Sequence, residues 1–96
     1  SCSNYPQGFF NVYAALARRD DIDLILHLGD YIYEYGNGEY GDGTALDRVP
    51  EPVGETLTLQ DYRLRYATYR SDQDLQEVHR RQPDRGVRVG TAHRLV

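Results

Sequence analysis

The run Ile22-Asp23-Leu24-Ile25-Leu26-His27-Leu28-Gly29-Asp30-Tyr31-Ile32-Tyr33-Glu34 begins apolar and then meets a Gly-Asp pair. Residues 22–28 read as a strand, apolar almost throughout, as a parallel strand covered on both faces would be. Asp30 then sits just past the carboxyl end of that strand, where ligands gather in open α/β sheets. An aspartate there offers two hard oxygens and can hold or bridge metal ions. Tyr33, three residues on, can reach back to the same ion, and phenolate oxygen suits a ferric centre. Upstream, Cys2 lies where a preceding strand would end, so thiol, carboxylate and phenol could converge on one transition-metal site. Plainer readings stay open. Asp30 could cap a helix or accept loop hydrogen bonds, Tyr33 could simply pack, and Cys2 could be a small buried apolar residue near a chain end.

The neighbouring sequence gives the flanking elements. Residues 8–19 read as a helix with Phe9, Val12, Tyr13 and Leu16 on one apolar face and Arg18 and Arg19 in its last turn. Residues 36–55 carry five glycines and two prolines with no period. A connection of that length is either a lid flanking the site or a solvated excursion. Residues 57–70 read as a second helix, capped by Thr58 with Asp61 in the capping-box position. Its residues Leu59, Tyr62, Tyr66 and Tyr69 form a stripe expected to face the core. Ser71-Asp72 caps a third helix reaching about Arg80, with Leu75 and Val78 inward. After Pro83 neither caps nor period remain.

Charge and composition narrow the function classes. Residues 1–47 hold two Arg against eight acids, and residues 48–96 hold nine Arg against seven. An acidic first half argues against a nucleic-acid groove and suits a site that collects cations. One cysteine permits no internal disulfide. No stretch approaches the roughly 20 apolar residues of a membrane span. P-loop, Cys-x-x-Cys and nucleophilic-serine signatures do not occur. His27 alternates away from Asp30 along the strand and reads as structural. Glu34, Glu39 and Asp42 match no defined cation loop and read as solvated acids. Asn4, Asn37, His79 and His93 carry no clear signal. The chain contains no methionine, and with candidate ligands starting at position 2 it reads as a piece of a longer protein.

Ser1-Cys2-Ser3, the segment Gly8-Phe9-Phe10-Asn11-Val12-Tyr13-Ala14-Ala15-Leu16-Ala17, the run from Leu26 to Glu34, and Tyr62-Arg63-Leu64-Arg65-Tyr66-Ala67-Thr68-Tyr69-Arg70-Ser71-Asp72 together resemble the amino-terminal part of the metallophosphatase domain of PhoD-like alkaline phosphatases (alkaline phosphatase D). The Gly-Asp-x-x-Tyr element alone is shared with purple acid phosphatases. The resemblance covers residues 1–83. It implies an α/β fold, part of a metallophosphatase-type sandwich of the calcineurin-like and purple acid phosphatase-like kind. It implies phosphoester hydrolysis at a centre of Fe³⁺ and Ca²⁺, in an exported enzyme. Cys2, Asp30 and Tyr33 would be iron ligands, with Asp30 bridging to a second ion. It assigns no proton donor and no phosphate-gripping residue here. Residues 84–96 depart from it: a buried strand ending in Trp-Asp-Asp-His-Glu should follow and does not. That tail is expected to be frameshifted or disordered. A chain lacking those ligands is expected to be inactive alone; the other reading is a non-catalytic truncated product that binds metal weakly at most.

Overall fold

The computed structural model describes residues 2–81 and the backbone of residues 87–89. In chain order the elements are a 3-10 turn at Tyr5–Gln7, helix α1 (Asn11–Ala17), strand β1 (Ile25–His27), a 3-10 turn at Thr44–Leu46, helices α2 (Leu59–Arg70) and α3 (Gln73–Arg81), and strand β2 (Val87–Val89). The strands pair in parallel, Ile25 opposite Val87 and His27 opposite Val89. The described part is therefore α/β, with a sheet of two strands.

The helix ends follow from sequence. Thr58 Oγ1 accepts from Asp61 N at 3.1 Å and Asp61 Oδ2 accepts from Thr58 N at 2.9 Å, the expected reciprocal box. Asp72 Oδ1 accepts from Leu75 N at 3.0 Å and starts α3. Leu75 and Val78 are buried, as their spacing predicts.

Four expectations need correction. The first helix is shorter than residues 8–19: it starts after Phe10 and ends before Arg18, with a separate 3-10 turn at Tyr5–Gln7 ahead of it. Its buried face is Phe10, Tyr13 and Ala17, while Phe9 and Val12 are exposed. Strand β1 is only three residues long, and Leu24, Leu26 and Leu28 are exposed, so among the described residues one face of the strand is covered rather than two. The stripe of α2 faces the core only in part: Tyr69 is buried as expected and Tyr62 is half-buried, but Leu59 and Tyr66 are exposed, and Arg65, outside the stripe, is the second buried residue. Glu34, expected in solvent, is buried. In the region after Pro83, Val87–Val89 form the second strand, and the remainder of the expectation for 84–96 lies outside the described residues.

The core is mostly aromatic. Phe10, Tyr13, Ala17, Tyr31, Tyr69, Leu75 and Val78 make one cluster, with Tyr5, Leu16, Ile25 and Ile32 against it. Tyr69 is at its centre, with ring centroids 5.6 Å from Tyr5 and 6.0 Å from Phe10. Phe10 meets Tyr13 edge-on at 5.3 Å. The hydroxyls need partners inside this cluster. Tyr13 shares its hydroxyl with Ser3 Oγ, and with His27 Nε2 at 2.9 Å. Gly29 N donates to His27 Nδ1 at 3.4 Å, so the neutral ring that carries its proton on Nε2 satisfies both contacts. Tyr31 Oη lies 2.7 Å from His79 Nε2. His27 is thus structural, as expected, and His79 gains a partner that the sequence did not reveal.

These two histidines set a pH dependence. Desolvation by the surrounding rings lowers both imidazole pKa values from the ordinary 6.5. Below that value the unfolded chain takes up protons that the folded chain still refuses. Their contribution to stability is therefore present above about pH 6.5 and is lost as pH falls toward the lowered folded values. The urea midpoint is expected to drop between about pH 7 and pH 5, with His27→Gln and His79→Gln each removing part of the slope. A midpoint flat across that range would show that neither ring is held neutral by the fold.

Candidate metal centre

The chain turns sharply between His27 and Tyr31. Gly29 has φ 122°, a conformation that a Cβ would resist, and Asp30 follows at φ 52°. Aspartate tolerates the left-handed region better than most residues. The turn is fixed by a bond from Ser3 N to Asp30 O at 3.0 Å, which brings the start of the chain alongside. Cys2 is also left-handed, at φ 61°. For a cysteine this costs about 1–2 kcal/mol, which the neighbouring contacts must offset.

The result is a meeting of three side chains. Cys2 Sγ donates to Asp30 Oδ2 at 3.5 Å. The Tyr33 phenol interacts with both groups. Burial raises the Tyr33 pKa first, then its contact with Cys2 and the charge of Asp30 raise it further. Cys2 is exposed, so it is not a small apolar residue filling the core. Asp30 and Tyr33 are half-buried. An open depression of about 420 Å³ adjoins the cluster, with Cys2, Asn4, Gln7, Phe9 and Val12 in its wall.

Sulfur, carboxylate oxygen and phenol oxygen within contact of one another form a mixed donor set that suits a transition-metal cation. Burial is the largest cause of the raised Tyr33 pKa, and the contact with Cys2 and the charge of Asp30 add to it. Negative charge gathered around a half-buried phenol disfavours a further anion, and a cation between the three groups would reverse that sign. Among the described residues, no group of three or more His, Cys, Asp and Glu converges elsewhere or here; the third donor of this cluster is a tyrosine.

The loop after Tyr33 is pinned rather than loose. Asn37 N donates to Val53 O at 2.7 Å and Thr56 N to Glu34 O at 2.9 Å. Gly43 approaches the chain so closely that a Cβ would lie 2.2 Å from Arg48 O. Asn4 Nδ2 and Gln7 Nε2 both donate to Tyr40 O, at 3.0 and 2.8 Å, tying the loop to the segment after Cys2. Tyr33, Tyr35 and Tyr40 stack in series, at 6.1 and 4.8 Å between centroids. Two buried arginines hold the loop from beneath. Arg48 reaches Tyr5 O and Asp72, and Arg65 reaches backbone carbonyls. Neither arginine was legible as a site-supporting residue, because both act on carbonyls distant in sequence.

The sequence profile of the PhoD-like phosphatase family matches residues 1–85. Alkaline phosphatase D of Bacillus subtilis (strain 168) is 47% identical over 79 residues, which cover 82% of this chain and 13% of that protein. A solved structure described as the structure of PhoD matches with a TM-score of 0.71 at 38% identity, covering 95% of this chain and 16% of the other. The chain thus spans well under a fifth of either relative. With the profile matched from end to end of residues 1–85, this chain belongs to the PhoD-like phosphatase family.

Proposed function

We propose that the chain forms part of a metal-dependent phosphoester hydrolase, in which Cys2, Asp30 and Tyr33 hold Fe³⁺ and Asp30 also serves a neighbouring Ca²⁺. The observation that carries this reading is the 3.5 Å approach of Cys2 Sγ to Asp30 Oδ2, with the Tyr33 phenol interacting with both. When bound, such a centre supplies Lewis acidity toward phosphoryl oxygens and activates water for attack on phosphorus. The chain's own residues hold and orient. Gly29 and the left-handed Asp30 aim the carboxylate out of the sheet toward Cys2. The bond from Ser3 N to Asp30 O keeps the thiol in reach of it. Membership in the PhoD-like family and the mixed sulfur and oxygen donors support the reading together.

The surrounding domain is proposed to be the α/β sandwich of metallophosphatases, with this chain supplying one corner of it. An exported setting goes with the same proposal. No helix among the described residues is long and apolar enough to cross a membrane. Three donors leave coordination positions open, so this chain alone should bind metal without turning over substrate.

Titration with Fe³⁺ tests the reading. A visible phenolate-to-iron absorption band is expected, lost in Tyr33→Phe. Asp30→Ala is expected to weaken binding by more than about 100-fold, beyond what loss of an outer partner does. Chromogenic phosphomonoester and phosphodiester with Fe³⁺ and Ca²⁺ should show only background hydrolysis. Iron binding indifferent to both substitutions would end the proposal for these residues.

A further inference from the structure

Arg65 is 1% exposed, and each of its five guanidinium N–H groups is directed to a peptide carbonyl. Nη1 donates to Tyr33 O at 2.6 Å and to Tyr35 O at 2.7 Å. Nη2 donates to Pro52 O at 2.7 Å and Gly54 O at 2.9 Å, and Nε to Glu51 O at 3.2 Å. The residue is planted on α2, a helix that begins in a complete capping box. Its guanidinium therefore joins the segment carrying Tyr33 to the far end of the loop at residues 51–54.

We infer that Arg65 is the positioning residue for Tyr33: its fork sets the rotation of the 33–35 segment and so aims the Tyr33 ring at Asp30 and Cys2. The inference rests on the proposed role of Tyr33 as a metal donor. Carbonyls alternate sides along an extended segment, and side chains two apart share a face. Tyr33 and Tyr35 turn their carbonyls to Arg65, while Glu34, between them, turns its carbonyl to Thr56 N. The rings of Tyr33 and Tyr35 stack together, 6.1 Å between centroids. Holding two carbonyls by one rigid plane fixes the segment against twisting, which one bond would not do. A guanidinium presents five donors in a fixed plane, and an ammonium presents three on a point. Lysine cannot reproduce the geometry.

The test uses this chain with and without metal. In the metal-free chain, amide exchange at Asn37 and Thr56 should be slow, comparable to Gln76 in α3, because their cross-loop bonds are held by the fork. Nuclear Overhauser contacts should join the Tyr33 ring to Cys2. In Arg65→Lys those contacts should vanish while the Leu75 and Val78 methyl signals stay in place. Fe³⁺ affinity should then fall about 10–100-fold, the usual range when a group orienting a ligand is lost, with a shifted phenolate band. A folded Arg65→Lys chain that keeps the Tyr33–Cys2 contacts and the affinity overturns the inference. So does free exchange at Asn37 and Thr56 in the unaltered chain, a result that decides the matter even if the variant fails to fold. Loss of the contacts in Arg65→Lys, with no phenolate band in the unaltered chain, would uphold the positioning role and reject Tyr33 as a donor.

Discussion

Asp72→Ala is expected to cost about 3–5 kcal/mol, the largest single-residue loss in this chain. Arg48 Nη1 and Asp72 Oδ2 are 2.8 Å apart, with both side chains about 95% buried. Arg48 lies over the Tyr5 ring at 3.9 Å and near Phe9 and Phe10, so its charge is surrounded by rings rather than water. Its Nη2 makes no hydrogen bond. Removing the carboxylate leaves that cation buried with one carbonyl, Tyr5 O, as its acceptor. Asp72 also caps α3 through Leu75 N, a contribution of about 1 kcal/mol that the alanine forfeits as well. The two roles separate by substitution. Asp72→Ser keeps a cap and loses the charge. Arg48→Met with Asp72→Ser removes both charges and keeps the cap, so the double variant should be more stable than Asp72→Ala. Urea unfolding followed by tyrosine fluorescence suits a chain with nine tyrosines and no tryptophan. Equal midpoints for Asp72→Ser and the double variant would mean that the buried cation carries no penalty.

Tyr69→Ala should come close behind, at about 3–5 kcal/mol, the range for emptying a large aromatic from a core. Tyr69 is 0% exposed and bridges α2 to the rings of Tyr5 and Phe10. Burial raises its phenol pKa, so the group stays a neutral donor and acceptor throughout the physiological range. Its oxygen accepts from Tyr5 N at 3.2 Å. Tyr69→Phe retains the volume and strands that one N–H, a cost of about 1–3 kcal/mol. The expected order is therefore alanine well below phenylalanine, and phenylalanine below the unaltered chain. Alanine and phenylalanine with the same unfolding midpoint would place the stabilisation in the hydroxyl and not in packing.

What could be read from sequence was local. The cap at Thr58, the start of α3 at Ser71-Asp72, and the inward pair Leu75 and Val78 each depend on residues within a few positions of one another. The approach of Cys2 to Asp30, 28 residues apart, was expected on a different footing, from placing each past a strand end and from the family resemblance. The misreadings were long-range. Leu24, Leu26 and Leu28 look like the covered side of a central strand, yet nothing in the described residues covers them. Of the stripe on α2 Tyr69 does face the core, but Leu59 and Tyr66 do not, because which helix face turns inward depends on what lies across from it. Here the opposing surface is a set of carbonyls at 33, 35, 51, 52 and 54, and it selects Arg65. A buried arginine with backbone acceptors leaves no pattern in the chain, because every carbonyl looks alike in sequence.

The choice of partners for Arg65 has a further effect. Its acceptors are peptide oxygens, which neither gain nor lose protons, and although desolvation lowers the guanidinium pKa, a guanidinium starts so basic that it stays charged. Ties built on carboxylates, such as Arg19 with Asp21 or Arg81 with Asp20 at the surface, weaken when acid protonates them or salt screens them. The joint between the Tyr33 segment and the loop has neither weakness. It should hold its geometry from mildly acid to distinctly alkaline solution and at high ionic strength, so that the wall beside Cys2, Asp30 and Tyr33 keeps one shape while the charges around it change.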